Sequence, residues 1–179
     1  NIVKDLDMIN RYESGQIDLK YSIFDINLLV QEIFDLLEME GEKLAMTMQL
    51  QTTQPQLFVS ADKQRISQVL INLISNSIKY ANREEAQIIV STREGTKSIH
   101  ISVEDNGMGI KPENLPRIFE RFFRVESSRS RKEGGSGLGL AIVKHILEAH
   151  QQTIAVESTY LSGTKFKFKL TKSTPSIKK

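Results

Sequence analysis

Apolar residues recur at intervals of three and four in several stretches of the chain, and this spacing predicts helices. The most regular stretch begins at Asp62, a suitable N-cap, and runs to about Tyr80. Three further helices are predicted over residues 2–14, 25–41 and 138–150. The apolar stripe of the 62–80 helix consists of Ile66, Val69, Leu70, Leu73, Ile74 and Ile78.

Alternating apolar and polar residues predict short strands between these helices. Residues 88–92 and 99–103 are expected to pair as an antiparallel hairpin through a turn at 94–97. In the last strand, 165–170, apolar residues alternate with lysines. Further strands are predicted at 18–24, 46–50, 57–59 and 154–157. Helices combined with hairpin-linked strands predict an α+β fold, a two-layer sandwich in which a mixed, mostly antiparallel sheet packs on helices.

Composition restricts the functions that this fold can have. The chain has 179 residues, 39% of them hydrophobic, and a formal net charge of only +2 with scattered basic residues, which disfavours a dedicated nucleic-acid surface. The absence of cysteine excludes a disulfide framework, a thiolate zinc site and a cysteine nucleophile. No apolar run approaches the roughly 20 residues that a membrane-spanning helix needs.

A polar stripe borders the apolar one on the 62–80 helix. Arg65, Gln68, Asn72, Asn76 and Lys79 recur at spacings of three and four and therefore share one helix face. A solvated face is the simplest explanation, but asparagine is a poor helix former, and an exposed face would more naturally carry Glu or Lys. The carbonyl oxygen of Asn76 can ligate a hard cation such as Mg²⁺, and Lys79 can meet a phosphate charge.

The segment Asp105-Asn-Gly-Met-Gly-Ile110 comes directly after a predicted strand. Such residues are common in ordinary turns. The Asp105 carboxylate can nevertheless accept a hydrogen bond from the exocyclic amine of adenine, while the glycines let the backbone approach the base. Guanine has a carbonyl at that edge, so an acceptor at this position would select adenine.

A second glycine-rich segment, 134–140, leads into the predicted helix 138–150. It can be a flexible linker, or its amides at a helix N-terminus can bind phosphate. It lacks the Lys-Ser/Thr ending of a Walker loop and the spacing of the dinucleotide fingerprint. The polar stretch 111–135 predicts a lid, anchored by Phe119 and Phe122, from which Arg124 can reach the phosphates.

In their order and spacing, these segments resemble the motifs of the catalytic and ATP-binding domain of sensor histidine kinases. The superfamily includes the gyrase, heat-shock chaperone and mismatch-repair ATPases. Residues 62–80, with the motif at 72–80, resemble its N box, 105–110 its first glycine box, 119–124 its F box and 135–140 its second glycine box. The chain departs from the family pattern at Gln151-Gln152, where paired glycines are common.

The resemblance implies a site for ATP and Mg²⁺. Asn76 would ligate the metal ion, and Asn72, Lys79 and Arg124 would contact the phosphates as the catalytic residues. The backbone of 136–140 would cradle the phosphates.

At the other end of the implied site, Asp105 would recognise the adenine amine, Tyr80 would stack on the base, and Thr164 would support this region. The complete set of implied ATP-binding residues is Asn72, Asn76, Lys79, Tyr80, Asp105, Gly107, Gly109, Ile110, Phe119, Phe122, Arg124, Ser136, Gly137, Leu138, Gly139, Leu140 and Thr164.

The resemblance also implies a division of the chain. Residues 1–23 resemble the end of the second helix of the dimerisation and phosphoacceptor domain, 24–171 would form the catalytic domain, and 172–179 a flexible tail. The acceptor histidine would lie in the missing part of the dimerisation domain. The chain would then be the cytoplasmic domain of a membrane-anchored bacterial sensor.

A histidine kinase of this kind phosphorylates that acceptor and then relays the phosphoryl group to an aspartate of a response regulator. His100, His145 and His150 lack the acid-Arg-x-Pro surroundings of an acceptor and are expected to be structural. The implied partners are the dimerisation domain and the response regulator, without nucleic acid. The full-length protein would be a homodimer, and the fragment alone a monomer.

Three alternatives remain open. ATP hydrolases of the gyrase or chaperone type share the fold but carry a glutamate one turn before the metal-binding asparagine, where this chain has Asn72, an amide that cannot act as general base. Kinases that phosphorylate serine or a mitochondrial dehydrogenase also share the fold, and the segment 11–15, Arg-Tyr-Glu-Ser-Gly, argues against them. A non-enzymatic interaction module would show no Mg-dependent ATP binding.

Overall fold

The computed structural model describes residues 1–43, 45–81, 84–125 and 136–175, and the side chains of 40–43 lie outside the description. Within these ranges the α-helices are α1 (Ile2–Glu13), α2 (Ile26–Lys43), α3 (Lys63–Lys79) and α4 (Gly139–Ala149). The strands are β1 (Ser22–Asp25), β2 (Thr47–Thr52), β3 (Phe58–Ala61), β4 (Gln87–Glu94), β5 (Ser98–Asp105), β6 (Ala155–Thr159) and β7 (Gly163–Lys172). A short 3₁₀ helix, Leu115–Arg117, lies between β5 and α4.

The seven strands form one sheet with the order β1-β3-β7-β5-β4-β2, and β6 also pairs with β7. The predicted hairpin of β4 and β5 is antiparallel, with Val90 opposite Val103. Among the described strands, β2 and β4 alone pair in parallel. The prediction of a mixed, mostly antiparallel sheet is therefore confirmed.

The core lies between this sheet and the helices. In β7, Phe166, Phe168 and Leu170 are at most 3% exposed. Fully burying a side chain of this size stabilises the fold by about 1.5–3 kcal/mol. Helix α3 buries all six residues of its predicted apolar stripe and packs against α2, α4 and the strands β4 and β5. The predicted sandwich of a sheet packed on helices is confirmed.

A buried histidine fixes the end of α4 to the start of α3. His150 is 7% exposed, and its Nε2 accepts a hydrogen bond from the Asp62 amide at 3.0 Å. Because an amide can only donate, the ring proton is on Nδ1, which lies 2.8 Å from the carbonyl oxygen of Ile146. The Asp62 side chain in turn caps α3 by accepting from the Arg65 amide at 3.2 Å. These contacts hold the two helices that carry the polar stripe and the second glycine segment.

Some element boundaries differ from the prediction. Helix α2 continues past Gly41, since a glycine inside a helix costs only about 1 kcal/mol relative to alanine. The extended segment predicted from residue 18 becomes a strand only at Ser22, and β7 extends one residue into the predicted tail, to Lys172. After α4, Gln151 adopts the left-handed conformation, with φ of 59°, that a glycine would adopt more easily.

Parts of three predicted segments lie outside the described residues: 126–135 of the lid, 134–135 of the second glycine segment and 176–179 of the tail. In the part of the chain that is described, no helix combines the length and the apolar character needed to cross a membrane.

Candidate functional site

A cavity of about 340 Å³ opens between α3, α4 and the loop that follows β5. This volume is typical of small-molecule sites. Most of the predicted site residues line it, although they come from separate parts of the sequence. They are Asn72, Asn76, Lys79, Tyr80, Asp105, Gly109, Ile110, Arg124, Ser136, Gly137, Gly139, Leu140 and Thr164.

Helix α3 forms one wall of the cavity. Its three- and four-residue spacing turns Asn72, Asn76 and Lys79 to the same side. The Asn72 side-chain amide donates to the carbonyl oxygen of Gly139 at 3.2 Å, which joins this wall to the second glycine segment. The Lys79 ammonium lies 5.5 Å from the centroid of the Tyr80 ring, within cation–π distance. The wall therefore offers amides and a positive charge.

The second glycine segment leads into the N-terminus of α4. The Ser136 hydroxyl accepts from the Leu138 amide at 3.2 Å, and Gly139 is the first residue of the helix. A Cβ atom at Gly137, which has φ of 73°, would lie 2.8 Å from the Cα of Phe122, so this position requires glycine. Because the N-terminal end of a helix carries partial positive charge, this side of the cavity suits an anion.

Asp105 is the last residue of β5 and lines the cavity. Its Oδ1 accepts from the Gly107 amide and its Oδ2 from the Ser77 hydroxyl, each at 2.9 Å. Burial raises the pKa of this carboxyl above its ordinary value of 3.8, while the hydrogen bonds from Gly107, Ser77 and the Thr164 backbone oppose that shift. The result is a fixed, partly buried acceptor next to the cavity.

The turn between β6 and β7 packs closely against the first glycine segment. A Cβ atom at Gly109 would lie 2.1 Å from the carbonyl oxygen of Thr159, and one at Gly163 would lie 2.1 Å from the carbonyl oxygen of Asp105. Both glycines also have positive φ, 71° and 144°. The glycines of this region therefore allow two backbone segments to approach each other beside the cavity.

Four predicted residues do not line the cavity: Gly107, Phe119, Phe122 and Leu138. Gly107 contributes indirectly, because its amide donates a hydrogen bond to the Asp105 carboxylate. The Phe119 ring packs edge-on against buried Phe166, with 6.3 Å between the centroids. Phe122 is 52% exposed and adopts a left-handed backbone with φ of 61°. Both phenylalanines were predicted to anchor the lid. Phe119 has a packing partner that such a role needs, whereas Phe122 faces solvent.

Several lining residues were not in the predicted site: Asp5, Gln68, Ser75, Met108, Ile118, Phe123, Val125 and Ile142. The predicted polar stripe of α3 already contained Gln68, although no site role was assigned to it, and the same spacing could have indicated Ser75, three residues after Asn72. Met108 lies within the first glycine segment. Asp5 has no signal of this kind, because its position depends on how α1 packs.

Helix α1 docks against α4 and so brings Asp5 to the cavity. Ile9 is fully buried, and the Tyr12 ring stacks on His145 with 6.4 Å between the centroids. Glu13 forms an ion pair with Arg121 and also lies 3.6 Å from Nε2 of His145. Its Arg121 partner lowers the pKa of the Glu13 carboxyl. These contacts hold α1 in a position where the carboxylate-bearing Asp5 lines a cavity otherwise suited to anions.

Comparisons with known proteins show which proteins this chain is similar to. The sensor histidine kinase WalK of Bacillus subtilis is 33% identical over 170 residues, which cover 94% of this chain and 28% of WalK. The structure of full-length ShkA in complex with AMPPNP has a TM-score of 0.85 at 25% identity, covering 98% of this chain and 36% of ShkA. The structure of histidine kinase ThkA in complex with the response regulator protein TrrA has a TM-score of 0.75 at 26% identity, covering 96% of this chain and 48% of that one.

The sequence profile of a family described as "Histidine kinase-, DNA gyrase B-, and HSP90-like ATPase" matches residues 61–174. This range includes α3, both glycine segments and the β6–β7 turn, and so contains most of the cavity. The chain spans about a third or less of the length of the curated relatives it matches. The resemblance carried by the four motifs is confirmed, and the chain belongs to the histidine kinase-, DNA gyrase B- and HSP90-like ATPase family.

Proposed function

We propose that this chain binds Mg-ATP in the cavity and acts as the catalytic domain of a two-component sensor histidine kinase. The observation that carries the proposal is the arrangement around one cavity: the Asp105 acceptor on one side, and the amides, the cation and the helix N-terminus of α3 and α4 on another. The structurally similar ShkA has been solved in complex with AMPPNP, which supports a nucleotide ligand.

The adenine base would lie beside Asp105 and Thr164. The Asp105 carboxylate accepts the hydrogen bond of the exocyclic amine, and Tyr80 offers an aromatic face to the base. Because burial and the hydrogen bonds from Ser77 and Gly107 fix the carboxylate, little reorganisation is needed when the base binds.

The triphosphate would lie between α3 and the start of α4. Lys79 and Arg124 line the cavity and contribute positive charge, and the side-chain amide of Asn72 is held in place by Gly139. Amides at the N-terminus of α4 add further donors. Phosphoryl transfer depends mainly on positioning and charge neutralisation, which these groups provide.

The donor set around Asn76 fits a magnesium ion that is shared with phosphate oxygens. Mg²⁺ binds few protein ligands and prefers oxygen, which the Asn76 side chain can supply in the cavity. The described residues contain no group of three or more His, Cys, Asp or Glu side chains that could hold a metal ion by themselves. When bound, the ion would neutralise part of the phosphate charge.

The site favours transfer over hydrolysis. Hydrolases of this fold place a general base one turn before the metal-binding asparagine, and this chain has Asn72 there, whose amide cannot take a proton from water. The nucleophile would instead be a histidine of the dimerisation domain, to which residues 1–23 are proposed to belong. His150 has both ring nitrogens in buried hydrogen bonds, so it is a poor candidate for the acceptor.

The partners follow from the same proposal. The dimerisation domain would receive the phosphoryl group, and a response regulator would take it from there. ThkA, a structural neighbour, has been solved with the response regulator protein TrrA, which supports this second partner. The parent protein would be a membrane-anchored bacterial sensor with this domain in the cytoplasm.

Titration of the chain with Mg-ATP tests the binding site. Asp105→Asn is expected to lower ATP affinity by about 10- to 100-fold, because a charge-assisted acceptor is replaced by an amide. Asn76→Ala should weaken the dependence of binding on Mg²⁺. The control is Glu32→Gln, which neutralises an exposed carboxylate of α2 that does not line the cavity and should leave affinity unchanged. Unchanged binding in both site variants would refute the assignment.

Labelled ATP tests the reaction. The chain alone should not label itself with γ-phosphate, and adding the purified acceptor domain of the same parent should produce labelled acceptor. Rapid phosphate release without any acceptor would instead indicate a hydrolase, and self-labelling would place the acceptor inside this chain.

A further inference from the structure

We propose that Ser158 of β6 helps the cavity to discriminate between bases by fixing the direction of the Thr164 hydroxyl proton. The inference rests on the proposed function, because it assumes a base beside Asp105 and Thr164. Ser158 is not among the residues that line the cavity, whereas Thr164 is. Ser158 is therefore a positioning residue, which acts through Thr164.

The Ser158 hydroxyl has three hydrogen-bond neighbours. It lies 2.8 Å from the backbone amide of Ile110, 2.9 Å from the carbonyl oxygen of Gly163 and 2.8 Å from the Thr164 hydroxyl oxygen. A serine hydroxyl has one proton to donate and two lone pairs that accept. Three neighbours therefore use its full capacity.

The chemistry of these neighbours determines which hydroxyl donates in the hydrogen bond between Ser158 and Thr164. The Gly163 carbonyl can only accept, so it takes the single proton of Ser158. The Ile110 amide can only donate, so it occupies one lone pair. The remaining lone pair must accept the proton of Thr164, and the Thr164 oxygen is left with acceptor positions only.

This assignment matters because of where Thr164 lies. Thr164 is directly opposite Asp105 in the β5–β7 ladder, and both line the cavity. The Asp105 carboxylate is also an acceptor, so the two side chains present acceptors and no donor. An amino edge, as in adenine, matches this pair, whereas a carbonyl edge, as in guanine or hypoxanthine, does not. Without Ser158, the Thr164 hydroxyl can rotate and donate to a carbonyl.

Ser158→Ala tests the inference by comparing ATP with inosine triphosphate, which has a carbonyl in place of the adenine amine. In the presence of Mg²⁺, the ratio of ATP affinity to inosine triphosphate affinity should fall roughly three- to tenfold in the variant. Affinity for inorganic tripolyphosphate, which has no base, should stay the same.

Further variants separate this role from simple support of the fold. Ser158→Thr keeps the hydroxyl and should keep the wild-type ratio. Ser162→Ala removes an exposed serine of the same turn and should change nothing. Thr164→Val should lower the ratio as Ser158→Ala does, and the double variant should show no further fall, because both changes act on one hydroxyl. Should Ser158→Ala fail to fold, Ser158→Cys, with its weakly donating thiol, repeats the comparison.

An unchanged ratio in Ser158→Ala would overturn the inference, and so would an equal loss of affinity for all three ligands, which indicates general damage to the site. If the wild-type chain binds no ATP, the proposed function fails together with the inference. If the wild-type chain binds ATP and only the ratio fails to respond, the proposed function stands and the role of Ser158 does not.

Discussion

At the residue scale, the partly buried carboxylate of Asp105 would link the proposed base recognition to proton binding. Burial raises the pKa of this group above its ordinary 3.8, so the folded chain holds the proton more tightly than the unfolded chain. The contribution of Asp105 to stability is therefore greatest at acid pH and is lost as the pH rises through the folded-state pKa. In the proposed site the base binds to the ionised carboxylate, so the affinity for adenine should rise with pH while the contribution of Asp105 to stability falls.

We expect the ratio of ATP affinity to tripolyphosphate affinity to rise with pH through the folded-state pKa of Asp105. Titrations from acid to neutral pH measure this ratio, and the phosphate-only ligand corrects for ionisation elsewhere in the site. Asp105→Asn cannot titrate and should show a low, flat ratio. The same rise in that variant would assign the effect to another group.

The sequence indicates some of these residues and not others, for a physical reason. Asn72 and Asn76 stand out because asparagine is unfavourable inside a helix, and Asp105 because it ends a strand beside glycines. Ser158 and Asp5 carry no local signal. The first becomes informative only through its three hydrogen-bond neighbours, and the second only because α1 docks on α4.

At the scale of elements, His150 connects the C-terminal end of α4 to the N-terminal end of α3 and does not line the cavity. His150→Ala would leave the Asp62 amide without its acceptor and create a gap between the helices. We expect the free energy of unfolding to fall by about 2–4 kcal/mol. Denaturant titration of the variant measures this loss.

The matched comparison is His100→Ala, which truncates a partly buried histidine of β5. That change should cost less than about 1 kcal/mol, since no buried amide depends on the ring. Equal losses in the two variants would show that His150 contributes only its bulk.

The helices and strands themselves were largely predictable, because periods near 3.6 and 2 directly reflect which face is buried. The six buried stripe residues of α3 and the alternation in β7 are examples. The boundaries of the elements were less predictable. Helix α2 runs past Gly41, because tertiary packing can outweigh the low helix propensity of glycine. The strand order could not be read locally, since β7 contacts β3, β5 and β6 at once.

At the scale of the whole molecule, ligand binding should stabilise the domain by mass action. At a free Mg-ATP concentration of about one hundred times the dissociation constant, the gain is about 2.7 kcal/mol. For a chain of this size, that gain raises the melting temperature by about 5–10 °C. Thermal unfolding with and without Mg-ATP measures the shift.

A chelator should remove most of this stabilisation if Mg²⁺ is shared between Asn76 and the nucleotide, and Asn76→Ala should reduce the difference that the chelator makes. A melting temperature that rises equally with ATP in the presence of the chelator would argue against a role for the metal ion.

The narrow gap between the β6–β7 turn and the first glycine segment also limits how this sequence can diverge. A methyl group at Gly109 or Gly163 would meet a carbonyl oxygen at 2.1 Å, and a main-chain atom cannot rotate out of the way as a side chain can. Exposed positions of the same turn, such as Ser162, have no such restriction. In sequences that descend from this one, the exposed residues of the turn can therefore be substituted freely. Any lineage that preserves the shape of the turn must keep both glycines.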